Sequence, residues 1–211
     1  MDLTDEERIL YNFGIKIKDT ETDVFDSKYI SIYNELIKYY KISQAMKAGS
    51  LEKGTKIEFF GDLDLTFTID NPSIKDETDF RKDLEQKMKD SFPNDNVGLL
   101  KKSVLIKFKK SQINIDVVYL PKIEYNKNIK QIRHIKSINE EIKSIIRIVK
   151  YWNYLKNKKS FKSYLIERSA IYSGASTYKK RVRDTISKSG GGKQVNEIYD
   201  VILKIANGVV K

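Results

Sequence analysis

Apolar residues recur along this chain with two different periods. Between Ser27 and Gln44 the residues Ile30, Tyr33, Leu36, Ile37 and Tyr40 fall at helical spacing. That spacing predicts an amphipathic helix burying this stripe and leading straight into Lys47-Ala48-Gly49-Ser50. From Asp62 to Asp70 the period drops to two: Leu63, Leu65, Phe67 and Ile69 alternate with Asp62, Asp64, Thr66 and Thr68. This is the pattern of a half-buried strand with two acids on its open face. Phe80 to Phe92 returns to helical spacing, with Leu84 and Met88 four apart and Pro93-Asn94 at the end. Val104 to Lys109 and Gln112 to Leu120 are Val- and Ile-rich runs joined by a short polar link, which predicts an antiparallel pair. In the second run Ile113, Ile115 and Val117 share a face, leaving Asn114 and Asp116 on the other.

The texture changes after Pro121. A connection rich in lysine and asparagine is expected to about Lys130, and helical periodicity dominates the rest. Ile138, Ile142, Ile145, Val149 and Trp152 give the clearest helix signature in the chain, with shorter helices expected near Ser160 to Tyr172 and from Gln194 to Ala206. Ser189-Gly190-Gly191-Gly192 between them is expected to be a flexible connector. The prediction is an α+β chain: a mixed β-sheet with flanking helices in residues 1–121, and a small helical domain in residues 122–211.

Composition narrows the chemistry. The chain has 211 residues and 40% hydrophobic content, enough for one substantial core or two small ones. There is no cysteine, which excludes disulfides and thiolate metal sites and points to oxygen ligands for any metal. The start is charged, and no apolar run approaches the roughly 18 residues of a membrane span. A soluble, cytoplasmic protein without a membrane partner is therefore expected. The net charge of +11 favours polyanionic partners through counterion release, nucleotides and nucleic acid first.

Three features then become candidates for one reaction: the Gly49-Ser50 turn, the Asp62 and Asp64 pair, and Asp116 on a later strand. Nucleotidyl transfer needs carboxylates converging from a rigid surface to hold two divalent ions about 3.5–4 Å apart. Alternation places Asp62 and Asp64 on one side of a strand, and Asp116 joins them if the two strands are neighbours. Three acids without His or Cys suit Mg2+, with Mn2+ as a substitute. Gly49 allows close backbone approach, while the Ser50 hydroxyl and nearby N–H groups suit phosphates.

Gly49-Ser50, Lys53-Gly54-Thr55, Asp62-Leu63-Asp64 and Ile115-Asp116-Val117-Val118, in that order, resemble the signature of the DNA polymerase beta-like nucleotidyltransferase superfamily. The resemblance is to the branch of CCA-adding enzymes, oligoadenylate synthase and cyclic dinucleotide synthases. It implies that Asp62, Asp64 and Asp116 are catalytic and bind the metals, and that Gly49, Ser50, Lys53 and Thr55 bind the nucleotide. Val149-Lys150-Tyr151-Trp152 and Ser163-Tyr164-Leu165-Ile166-Glu167 extend it, implying Lys150 and Ser163 as triphosphate ligands and Tyr164 against the base. Such a chain moves a nucleoside monophosphate from an NTP to a hydroxyl. The acceptor implied first is an RNA 3′ end, extended without a template. A cyclic or linear oligonucleotide second messenger, and transfer to a protein or small molecule, are alternatives. The non-enzymatic alternative is an RNA-binding module on a degenerate scaffold.

Other features are read as structural. Trp152 and the isoleucine stripe belong to a core, and His134 within Arg133-His134-Ile135-Lys136 reads as a surface or nucleic-acid contact. Gly190-Gly191-Gly192-Lys193 is no phosphate loop, because Gln194 stands where Ser or Thr is needed. Lys156 to Lys162 and Tyr178 to Arg183 interleave basic and aromatic residues, a pattern shared by nucleic-acid-binding segments and solvated helix ends.

Overall fold

The structure is a computed structural model that describes residues 3–18, 23–57, 63–70, 76–155 and 161–210, the side chains of residues 23, 24, 209 and 210 excepted. Among the described residues one sheet forms, from β1 (Ile42–Ala48), β2 (Leu63–Ile69), β3 (Asn96–Leu99), β4 (Val104–Phe108) and β5 (Ile113–Tyr119), in the order β1-β2-β5-β4-β3. The β2–β5 pair is parallel and the others are antiparallel, so the sheet is mixed as expected. The chain divides into two compact units. One comprises Thr20–Lys53 and Gly61–His134, the other Met1–Asp19, Gly54–Phe60 and Ile135–Lys211.

The sheet unit has one apolar face, formed by Leu63, Leu65 and Phe67 of β2, Val104, Ile106 and Phe108 of β4, and Ile115 and Val117 of β5. Helix α2 (Asp23–Tyr39) contributes Phe25, Ile32 and Leu36 to the same core, and α4 (Glu77–Ser91) contributes Phe80, Leu84 and Met88. The α4 spacing is i, i+4, i+8, and its start is capped by Asp76, which accepts from the Thr78 N–H at 2.6 Å. The buried stripe of α2 differs from the predicted one. Leu36 is buried as predicted, but Ile30 is 56% and Ile37 49% exposed, because the helix begins at Asp23 and Phe25 and Tyr29 rotate the buried face onto Ile32 and Leu36. The helix also stops at Tyr39, and Ile42 to Gln44, expected to be helical, open strand β1.

Two further expectations are corrected. The lysine- and asparagine-rich stretch is helix α5 (Lys122–Ser137), because Tyr125, Ile132 and Ile135 supply a buried stripe and Lys is a good helix former. The glycine run is a packed turn, Ser187–Gln194, with Ser189 and Gly191 buried. A Cβ on Gly191 would lie 2.5 Å from Ile186 Cγ2, so the glycine is there for close packing.

The second unit holds α1 (Asp5–Lys16), α6 (Glu140–Leu155), α7 (Ser163–Ile171), α8 (Tyr178–Ile186) and α9 (Val195–Val210). A cut after residue 121 would separate α1 from these helices, although Leu10 and Phe13 sit in their core with Ile145, Val149, Trp152, Val182 and Ile202. Tyr178 is fully buried, and its hydroxyl lies 2.8 Å from Ser144 Oγ, so this aromatic is a core residue and not a base-stacking one. Arg147 is also fully buried. Its Nε donates to the Gly14 carbonyl and its Nη1 to the Gly54 carbonyl, both at 2.6 Å, and Nη2 pairs with Glu140. A buried guanidinium is tolerable only when its donors are occupied in this way.

Two predictions follow from this packing. A Cβ at Gly14 would lie 2.7 Å from Ser144 Cβ and 2.8 Å from the Ser144 carbonyl oxygen. Gly14→Ala should therefore lose about 1–2 kcal/mol in urea titration, since overpacking against backbone outweighs the ~1 kcal/mol gain of Ala in a helix. The Glu6 carboxyl is held below its ordinary range by the Tyr199 hydroxyl, which donates to it at 2.5 Å, and by Lys179. Its contribution to stability is present above the unfolded-chain value and lost as pH falls through the lower folded value. Tyr199→Phe should flatten that acid limb of stability against pH.

Candidate active site

The candidate chemistry gathers at the start of β2. Ala48, the last residue of β1, is the partner of Asp64 across the antiparallel pair, and Asp64 is the partner of Asp116 across the parallel one. Residues in register on neighbouring strands project to the same face, about 4.8 Å apart strand to strand. Asp64 and Asp116 thus stand side by side on the face opposite the Leu63-Leu65-Phe67 core, each half-buried. Each acid directly follows a core residue, Leu63 or Ile115, and those two are themselves partners, so the register that aligns the core aligns the acids.

Gly49 turns the chain out of β1 with φ of +78°, a left-handed conformation that a side chain would strain, and begins the single helical turn α3 (Gly49–Glu52). A bridge between Gly49 and Leu63 holds this turn against the start of β2. Gly49 and Ser50 therefore lie at the end of the sheet where Asp64 sits. Lys53 closes α3 and is half-buried.

Ser103 was not anticipated. It is 7% exposed, and its hydroxyl donates to Asp116 Oδ1 at 2.9 Å. The bond orients the Asp116 carboxylate. Nothing in the local sequence marks Ser103 for this role: it precedes β4, and only the pairing of Leu105 with Asp116 brings it there.

Among the described residues no group of three or more potential metal ligands forms; Asp62, the third acid of the predicted set, lies outside them. Asp64 and Asp116 offer only oxygen donors from a rigid sheet, a donor set that fits a hard divalent cation.

The remaining predicted residues lie in the helical unit. Thr55 is fully buried, and Lys150 donates to its hydroxyl at 3.1 Å and to Glu167 Oε1 at 2.9 Å. Side-chain exposure of this ion pair is 10% for Lys150 and 3% for Glu167. Thr55 and Lys150, read from separate motifs, are thus brought together, and Glu167 joins them. Ser163 begins α7 and is exposed, four residues before Glu167, and Tyr164 is 52% exposed. His134 is exposed on α5.

No protein-family model and no curated protein matches this sequence. Solved structures do match. Elizabethkingia meningoseptica CdnE, a cyclic dinucleotide synthase solved with GTP and Apcpp, is similar at TM-score 0.66 and 13% identity over 97% of this chain and 98% of that one. E. coli MS115-1 CdnC, solved with ATP, is similar at TM-score 0.61 and 18% identity, over 86% of this chain and 70% of that one. The Cid1 poly(U) polymerase with MgGTP is similar at TM-score 0.55 and 16% identity, over 76% of this chain and 54% of that one. With its mixed sheet, in-register acids and glycine turn, the chain shares the fold of these solved structures.

Proposed function

We propose that the protein is an NTP-dependent nucleotidyltransferase that moves a nucleoside monophosphate to a hydroxyl and releases pyrophosphate. The observation that carries this reading is the registered pair Asp64 and Asp116 beside the Gly49 turn. Asp64 and Asp116, with Asp62 two positions before Asp64 in the sequence, would hold Mg2+. When bound, the ion supplies charge neutralisation of the phosphates and lowers the pKa of the attacking hydroxyl. The N–H groups of the Gly49-Ser50 turn and the Ser50 hydroxyl hold the triphosphate, with Lys53 as a nearby cation. Asp116, oriented by Ser103, takes the proton of the attacking hydroxyl. The hydroxyl oxygen bonds to the α-phosphorus as the α–β bridging P–O bond breaks, and pyrophosphate carries away the bonding pair.

Two acceptors are supported. The charge of +11 favours an RNA 3′ end, the acceptor read first from the sequence. Similarity to CdnE over nearly the whole of both chains favours a free nucleotide, and hence a cyclic or linear oligonucleotide product. Cytoplasmic location accords with both, and no helix among the described residues is long and apolar enough to cross a membrane.

Purified protein incubated with Mg2+ and labelled NTPs, with and without RNA, should form product that EDTA abolishes and Asp62→Asn/Asp64→Asn lacks. Equal turnover by that variant would sink the reading. Extension of RNA identifies the first acceptor, and RNA-independent oligonucleotides the second.

Lys150 comes to this reading as a triphosphate ligand, together with Thr55, Ser163 and Tyr164, through the family resemblance. Its buried pairing with Glu167 yields a separate expectation. Lys150→Met should cost about 3–5 kcal/mol in urea titration by leaving Glu167 buried and uncompensated. Lys150→Met/Glu167→Gln should recover most of that stability while its KM for NTP stays raised. An unchanged KM in the double variant would remove Lys150 from the nucleotide site.

A further inference from the structure

The two edge strands of the sheet, β1 and β3, are protected very differently. An edge presents unpaired N–H and C=O groups to other chains, and proteins blunt it with bulges or charged side chains. β1 has both: its register shifts between Ile42 and Gln44, and Lys47 lies on the strand. β3 and the residue after it read Asn96-Val97-Gly98-Leu99-Leu100, with no charge and no proline, and its register on β4 is regular. Leu99 is 37% and Leu100 44% exposed.

Pairing with β4 fixes which backbone groups β3 turns outward. The Leu100 N–H donates to the Ser103 carbonyl at 2.8 Å, which makes this a hydrogen-bonded pair of the antiparallel ladder. Such pairs alternate along a ladder, so Gly98 with Leu105 and Asn96 with Lys107 are hydrogen-bonded pairs too. The N–H and C=O groups of Val97 and Leu99 therefore point away from β4, and no strand among the described residues pairs with them. Packing within the chain gives no reason for the glycine between them. The φ of Gly98 is not positive, and a Cβ there would meet nothing within 4 Å. Glycine weakens a strand interior, and in that position it commonly marks the close approach of another backbone.

We propose that β3 pairs antiparallel with β3 of a second copy of this chain, about a two-fold axis at Gly98. A symmetric pairing must set outward-facing residues against outward-facing residues. The register centred on Gly98 does this with Val97 opposite Leu99 of the second copy and Leu99 opposite its Val97, each pair exchanging two hydrogen bonds. The two Gly98 residues meet on the axis as a non-hydrogen-bonded pair, the place where strands come closest, about 4.5 Å between Cα atoms. The same register brings Lys101 opposite Asp95 of the second copy, once on each side of the axis, and opposite charges across paired strands attract. Centring on Val97 or on Leu99 would instead set Lys101 opposite Pro93 or Val97. One register thus answers the outward groups, the glycine and the flanking charges together, which selects a second copy over an unrelated chain. It joins two five-stranded sheets into one, with both Asp64 and Asp116 pairs on the same face. The paired segment is short and the +11 charge of each copy resists association, so the contact is a transient one.

The test is sedimentation velocity of the full chain from about 5 μM to about 0.5 mM, a span that covers weak association, with backbone amide exchange followed by NMR on the same samples. The chain should pass reversibly from monomer to dimer, and the Val97 and Leu99 N–H groups should gain protection in step with it. The Gly98 N–H should be protected throughout. Lys101→Glu should weaken the dimer at least about 4-fold, because two attractions become repulsions, although it lowers the net charge of each copy. Lys204→Glu, the same change of charge on an exposed position of α9, should not weaken it. Asp95→Lys should weaken it as well, and an equimolar mixture of Lys101→Glu and Asp95→Lys chains should restore it, since both charge pairs then re-form between unlike copies. Melting temperatures of all variants guard against a fold effect. A chain that stays monomeric at the highest concentration, a dimer in which Val97 and Leu99 exchange as in the monomer, or a mixture that associates no better than either variant alone overturns the proposal. None of these readouts depends on nucleotidyl transfer.

Discussion

The parallel pairing of β2 with β5 is the constraint on which the rest of the sheet unit depends. A parallel pair cannot be closed by a hairpin, so the chain between its members must cross back over the sheet. Here α4, β3 and β4 make that return, and β4 then pairs antiparallel with β5. The register that results sets Leu63 opposite Ile115 and Asp64 opposite Asp116. One choice of register therefore fills the core on one face and pairs two carboxylates on the other. A slip of either strand by a single residue would turn its acid into the core, where the desolvation would be prohibitive. The packing that stabilises the sheet and the placement of the acids are the same fact seen from two faces.

The helical unit is organised around polar groups as much as around its apolar core. Arg147 gathers two backbone carbonyls, from Gly14 and Gly54, and the Glu140 carboxylate into a buried cluster. Lys150, three residues on, does the same with Thr55 and Glu167. Both cations leave α6 toward a short segment, Gly54 to Ile57, that the chain contributes from between the Gly-Ser turn and β2. Cations at this depth are costly unless every donor is met, so they specify the position of that segment more sharply than hydrophobic contact alone.

Much of this is legible in the pattern and motifs of the sequence. The alternation of β2 and β5, the α4 spacing and the strong α6 periodicity match the observed elements to within a few residues, because each has one buried face and a clear period. The misreadings share a cause. In α2 apolar residues lie on more than one side, so periodicity placed Leu36 correctly but could not choose between Ile30-Ile37 and Phe25-Ile32 as its companions; the sheet chose. In α5 three widely spaced apolar residues were hidden among lysines and asparagines. Strand β3 is four residues long and pairs only at the sheet edge, too short to show a period.

By itself the sequence determined the chemistry on offer: oxygen ligands and no thiols, two acids on an alternating strand, a third on a later strand, and a glycine turn before them. Those are local properties, set by residue identity and by the two-residue period of a strand. Tertiary structure decided which of them meet. It set Asp64 beside Asp116 through a pairing between strands some fifty positions apart, brought Ser103 to Asp116, and joined Lys150 to Thr55 and Glu167. It also opened a cavity between a strand face and a helix whose composition had suggested a loop. Such meetings depend on register and crossover between distant segments, and no local period encodes either.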